Sequence, residues 1–204
     1  MFFIPKGLPR WPGETVAILG GGPSLTRDQV DACRGRCRVI AINRAYQLAP
    51  WADMLHAHDA SFWQNHPGAL DFAGVKTTGH APIDPSVMLI KMTPKNVAGR
   101  MGVPFSDPMR PVHAGRDSGY QAEQIAALLG AARVLLLGMD ARSNGHWHAG
   151  YAGGFGELDG FEYHILAHRQ LAPILAERGC EVVNCSHGSA IDAYPKVALE
   201  DVLP

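Results

Sequence analysis

The stretch Val16 to Leu25, VAILGGGPSL, constrains this chain more than any other. Its apolar, β-branched start, Val16 to Leu19, reads as a buried parallel strand that empties into Gly20, Gly21, Gly22, Pro23 and Ser24. Three residues without a Cβ let the backbone turn sharply and bring its N–H groups close to a ligand. Thr26 to Cys33 then reads as helix. The whole is a strand, a glycine turn and a helix N-terminus, where partial positive charge collects and a phosphate fits. The pattern is neither GxGxxG nor a P-loop, since no Gly-Lys-Ser/Thr follows, and a turn that serves packing alone is the alternative.

Further strands repeat the theme. Arg38 to Ile42 is apolar and ends at Asn43; Ala52 to Asp59 ends on His56, His58 and Asp59; Arg133 to Leu137 delivers Asp140; Glu181 to Ser186 runs into His187, Gly188 and Ser189. Ser118-Gly119-Tyr120-Gln121 reads as a capping box opening a helix whose inner face is Ala122, Ile125, Ala126 and Leu129 and whose stop is Gly130. Phe161, Ile165, His168, Ala172 and Leu175 recur at helical spacing up to Gly179, with Pro173 a point of kinking or division. Val197 and Leu199 suggest a short last helix. Strands alternating with helices predict an α/β, three-layer Rossmann-like fold with a mainly parallel sheet, its ligand outside the carboxyl ends of the strands.

Residues 1–13, with three prolines and two glycines, read as an irregular surface arm. Residues 14–204 are expected to form one nucleotide-binding domain with a loop-rich insertion at about 60–115, where Val87 to Met92 is a strand. The loop from Ala98 to Gly115, with Arg100, Arg110, His113 and Arg116 in or near it, reads as a lid or acceptor-side wall or as a plain surface loop. With 18 Lys+Arg against 19 Asp+Glu there is no global basic field to hold a nucleic-acid backbone. Cys33, Cys37, Cys180 and Cys185 match no common zinc spacing and read as reduced thiols. The short apolar start before Pro5 does not resemble a signal peptide and no run has the length of a membrane span, so a cytoplasmic protein is expected.

The strand ends carry the candidate site. Gly20, Gly21, Gly22, Pro23, Ser24, Asn43, Asp140, Ser186 and His187 would converge on one sheet edge, which suits a nucleotide or nucleotide-sugar. Ser118 and Gly119 add a second helix N-terminus facing a phosphate or substrate carboxylate, unless Ser118 only caps its own helix. His146 and His148, on a glycine-rich loop, are the candidates for a general base. Asp140 with both histidines is a candidate open metal site, and His56, His58 and Asp59 form a second cluster that reads as structural before metallic.

The order GGGPSL, AINRAY, SGYQAEQIAALLGAARVLLLGMD and VVNCSHGS, over about residues 14–190, resembles the MptE-like domain family and the related bacterial sialyltransferases of glycosyltransferase family 42. The resemblance implies nucleotide binding by Gly20 to Ser24, Asn43 and Ser118-Gly119, and a loop histidine, His146 or His148, as base. Short stand-alone members of this kind also occur in phage genomes. Gly21 stands where the sialyltransferases have asparagine and their Tyr-rich sugar-carboxylate segment is not evident, which argues against sialic acid as donor. The expected function is therefore a nucleotide-dependent transferase, a glycosyltransferase first, with an acceptor the sequence does not name. One alternative is an ATP-dependent diphosphokinase with magnesium on Asp140 or Asp59, as the archaeal pterin kinases of the family use; another is a non-catalytic nucleotide-binding module.

Overall fold

A computed structural model describes the chain except at 1, 95, 98, 99, 116, 143, 144 and 149–158. In chain order the elements are β1 (Thr15–Leu19), α1 (Arg27–Cys33), β2 (Arg38–Ile42), β3 (Met54–His56), α2 (Ala60–Asn65), β4 (Val75–Thr78) and β5 (Val87–Leu89). There follow β6 (Met92–Thr93), β7 (Asn96–Val97), β8 (Arg100–Met101), β9 (Val112–His113), α3 (Ser118–Leu129), β10 (Arg133–Leu137), α4 (Asp159–Glu177), β11 (Glu181–Asn184) and α5 (Leu199–Val202). Seven strands form one sheet in the order β11-β10-β1-β2-β3-β4-β5, every neighbouring pair parallel. The expected Rossmann-like α/β fold is observed. From β1 the chain winds outward one way to β5 and later the other way to β10 and β11, so the topological switch lies between β1 and β10.

The alternation of side chains along β1 divides the core in two. Val16 and Ile18 face a layer with Ile125 and Leu129 of α3 and Leu171 and Leu175 of α4. Ala17 and Leu19 face the opposite layer, with Val30 and Cys33 of α1 and Phe62 and Trp63 of α2. A strand buried on both faces needs apolar residues at every position, which is why VAIL of β1 and VLLL of β10 are unbroken runs.

Several sequence expectations shift. The surface arm is anchored: Trp11 is 2% exposed in the α3 core, and its N–H donates to Leu129 O. The run from Val87 splits into β5 and β6, and a further strand, β4, forms on Val-Lys-Thr-Thr, too polar a run to signal a strand by itself. The inner face of α4 keeps His168 and Leu175 of the expected stripe but takes His164, Ala167 and Leu171 where Phe161, Ile165 and Ala172 were expected, the latter three being only partly buried, and the helix runs through Pro173 unbroken. The loop read as a lid, an acceptor-side wall or a plain surface loop is mixed: Val103, Met109 and Arg110 are exposed, whereas Phe105 lies under the Arg178 guanidinium and His113 is fully buried on β9, its Nδ1 2.9 Å from Tyr120 Oη. Arg116 lies outside the described residues. All four cysteines are free thiols, and among the described residues no helix is long and apolar enough to cross a membrane.

Candidate functional site

The glycine turn does a different job from the one its composition suggests. None of Gly20, Gly21 and Gly22 has positive φ; the glycine facing them that does is Gly138, at φ 66° just after the neighbouring strand β10. What excludes side chains is proximity: a Cβ on Gly20 would lie 2.5 Å from Gly138 O, and one on Gly22 would lie 2.5 Å from Asp140 Cγ. The Gly20 and Gly22 N–H groups donate to Leu137 O and Gly138 O, both at 2.7 Å. They close the β1/β10 junction and are not turned toward a ligand. Asp140 supplies an anion of the protein's own at the end of the turn, accepting from the Ser24 N–H at 3.0 Å and from the Ser24 hydroxyl.

Beyond this junction a cavity of about 640 Å³ opens at the carboxyl ends of the strands. Gly20, Gly21, Gly22, Asn43, Asp59, Asp140, His146 and His148 all line it. Pro23, Ser24, Ser118, Gly119, Ser186 and His187 are not among its lining residues. Ser186 is buried, its hydroxyl accepting from Met139 N–H and donating to Leu136 O, while His187 is exposed. Two of the lining residues are held at positive φ without being glycine: Asn43 at 49° and Ala141 at 49°. Asparagine tolerates that region and alanine is strained in it, and strain of this kind concentrates at functional edges.

The histidine loop is fastened over the glycine turn by Trp147, whose backbone N–H donates to Gly21 O at 3.2 Å and whose indole donates to Gly20 O at 3.3 Å. That brings His146 and His148 to 5.2 Å between rings. Burial pushes the His146 pKa down, against an opposing pull from the Asp140 charge. His148 Nδ1 is 3.2 Å from Arg44 Nη1. A guanidinium can only donate, so Nδ1 accepts and, in the neutral ring, Nε2 carries the hydrogen. The expected metal group of Asp140, His146 and His148 does not gather, because Asp140 is turned onto Ser24 and His148 onto Arg44. Among the described residues the grouping with metal-ligand spacing is His58, Asp59 and His80.

The expected cap at Ser118 belongs to Asp117, which accepts from the Gly119 N–H at 2.8 Å and makes Ser118 the first helical residue. An aspartate directly before Ser-Gly is itself a favoured cap, a signal that was available. Gln121, freed from a capping role, is instead 2.9 Å by Oε1 from His56 Nε2. Asp117 also lines the cavity, and behind it runs a buried ionic chain that sequence reasoning missed. His168 Nε2 lies 3.4 Å from Asp117 Oδ2, His168 Nδ1 lies 3.0 Å from Glu123 Oε1, and Tyr194 Oη donates to Glu123 Oε2 at 2.5 Å. His168 and Glu123 are fully buried.

These groups set a pH dependence. Burial alone would lower the His168 pKa, but the Glu123 charge, reinforced by Asp117, raises it to about 10. Burial would raise Asp117, but the hydrogen bond from His168 and the nearby His164 and His168 charges hold it at about 2. Burial lowers His56 to about 4 despite its bond to Gln121. The His56 contribution is present above its ordinary 6.5 and is lost as pH falls through about 4, whereas that of His168 is full below 6.5 and is lost as pH rises through about 10. Asp117 adds a loss only below its ordinary 3.8. Urea midpoints recorded across the pH range should therefore peak near 6.5 and fall on both sides. A flat profile, or a maximum on the alkaline side, would contradict these assignments.

No family model matches the sequence, and no curated protein does. Among solved structures the fold is similar to that of the sialyltransferase CstII from Campylobacter jejuni, in complex with a substrate analogue, cytidine-5'-monophosphate. The TM-score is 0.55, over 92% of this chain and 86% of that one, at 14% identity. At that identity the likeness concerns the fold; the resemblance to the pterin kinases and to phage members rests on sequence motifs alone.

Proposed function

We propose that this chain is a nucleotide-dependent transferase that moves a sugar from a nucleotide-sugar to an acceptor. The observation that carries the reading is the cavity at the β1/β10 switch, where a doubly wound sheet takes its ligand, lined by Asn43, Asp117, His146 and His148. Likeness in fold to a protein solved with cytidine-5'-monophosphate supports the same class of ligand.

Each role follows from the chemistry of the group. The bare Gly20 to Gly22 edge and Asn43 receive the nucleotide, and Arg44 and Arg142 on the cavity wall supply the cations its phosphates require. Gly119 acts through Asp117, which its N–H holds in place. A carboxylate held at about 2 is a poor proton carrier but a good acceptor, so Asp117 is assigned to a ribose or sugar hydroxyl. His146, lowered by burial, is neutral at pH 7 and is assigned to take the acceptor's proton as its oxygen attacks the sugar carbon. His148, with hydrogen on Nε2, is assigned as a donor to the departing phosphate.

A thermal-shift screen against CMP, UDP, GDP, ATP and their sugar conjugates tests the reading. A ligand of the folded state at a hundred times its Kd adds about 2.7 kcal/mol, so one nucleotide should raise the midpoint by roughly 5 °C or more. No shift with any of them would defeat it, and magnesium-dependent release of AMP from ATP would redirect it to diphosphoryl transfer.

A further inference from the structure

We propose that His58, Asp59 and His80 form a binding site for a borderline divalent transition cation, zinc in class, at the rim of the cavity, with a coordination position left for water or for an oxygen of a bound ligand. One ligand atom from each of the three lies within 4.8 Å of the other two. Two imidazoles and a carboxylate suit zinc and its neighbours, whereas magnesium prefers an all-oxygen shell. Asp59 lines the cavity as well, which puts the cation at its edge.

The placement is built. Thr78, buried at the end of β4, donates its hydroxyl to His58 O at 3.0 Å and accepts from His80 N–H at 3.3 Å, tying the loop after β3 to the turn after β4. Between them Gly79 is bare; a Cβ there would fall 2.3 Å from His58 Nδ1, so any other residue would displace the ring. The two rings stand 4.6 Å apart, and His80 Nε2 is 4.0 Å from Asp59 Oδ1. His58 Nδ1 is buried and makes no hydrogen bond among the described residues. An orphaned ring nitrogen is costly, and coordination through that atom would satisfy it. Ligand atoms of a tetrahedral zinc stand about 3.3–3.6 Å apart given bonds near 2.0–2.2 Å. Closing to that spacing asks little of the His80 and Asp59 side chains, which are 55% and 70% exposed.

The inference is independent of the nucleotide reading, because its test uses no nucleotide. Full-length metal-free protein is dialysed against zinc, and separately titrated with cobalt while its visible spectrum is recorded. The expected result is about one zinc per chain and the intense visible bands of four-coordinate cobalt. Asp59→Asn and His80→Gln should each weaken zinc at least tenfold with the metal-free melting temperature unchanged, and His187→Gln, at an exposed histidine outside the cavity, should retain it. Failure to hold zinc at micromolar concentration would overturn the site. Equal affinity in wild type, Asp59→Asn and His80→Gln would do so too, since the metal would then be bound elsewhere.

Discussion

Glu123→Ala should destabilise the protein by about 3–5 kcal/mol, the range for removing one partner from a buried ion pair. For a chain of this size that is a fall in melting temperature of roughly 10 °C. The substitution leaves His168 beside Asp117 alone, strips the Tyr194 hydroxyl of its acceptor and opens a void between α3 and α4. Glu123→Gln, which keeps the volume and an acceptor for Tyr194, should cost less and should flatten the alkaline arm of the pH profile, because the charge that raises His168 most is gone. Calorimetry of both variants decides the matter. A loss below about 1 kcal/mol in Glu123→Ala would mean that the chain is not coupled as its geometry indicates.

His146→Gln should lower turnover by about 10²–10⁴-fold, the ordinary contribution of a general base, while nucleotide affinity stays within a few-fold of wild type. His148→Gln acts on phosphate contact, so it should weaken binding of the nucleotide as well as turnover. Hydrolysis of the nucleotide-sugar that wins the thermal screen provides the assay, since water can replace the acceptor. Unchanged rates and affinities in both variants would remove the two imidazoles from the mechanism.

The sequence was most legible where local pattern and tertiary role coincide. The runs VAIL and VLLL are apolar at every position because β1 and β10 are covered on both faces, and Gly130 stops α3 at φ 104° as a C-terminal glycine does. The glycine turn was found at the right place for a partly different reason: its missing side chains admit the backbone after β10, and Asp140 supplies an anion of the protein's own at its end. Nothing in the local pattern marks Gln121, Glu123 and Gln124 as core residues although all three are buried, because their partners, among them His56, His168 and Tyr194, lie on distant elements. Short strands such as β4 carry too few apolar residues to stand out. His80 could not be joined to His58 and Asp59 before the parallel pairing of β3 with β4 was known.

The most direct measurement is a crystal structure of the protein with the nucleotide that gives the largest thermal shift. Density is expected in the cavity between the Gly20 to Gly22 edge and Asn43, with phosphate oxygens within hydrogen-bond reach of Arg44 or His148. Nucleotide ordered on any other face of the molecule, with this cavity filled by solvent alone, would contradict it.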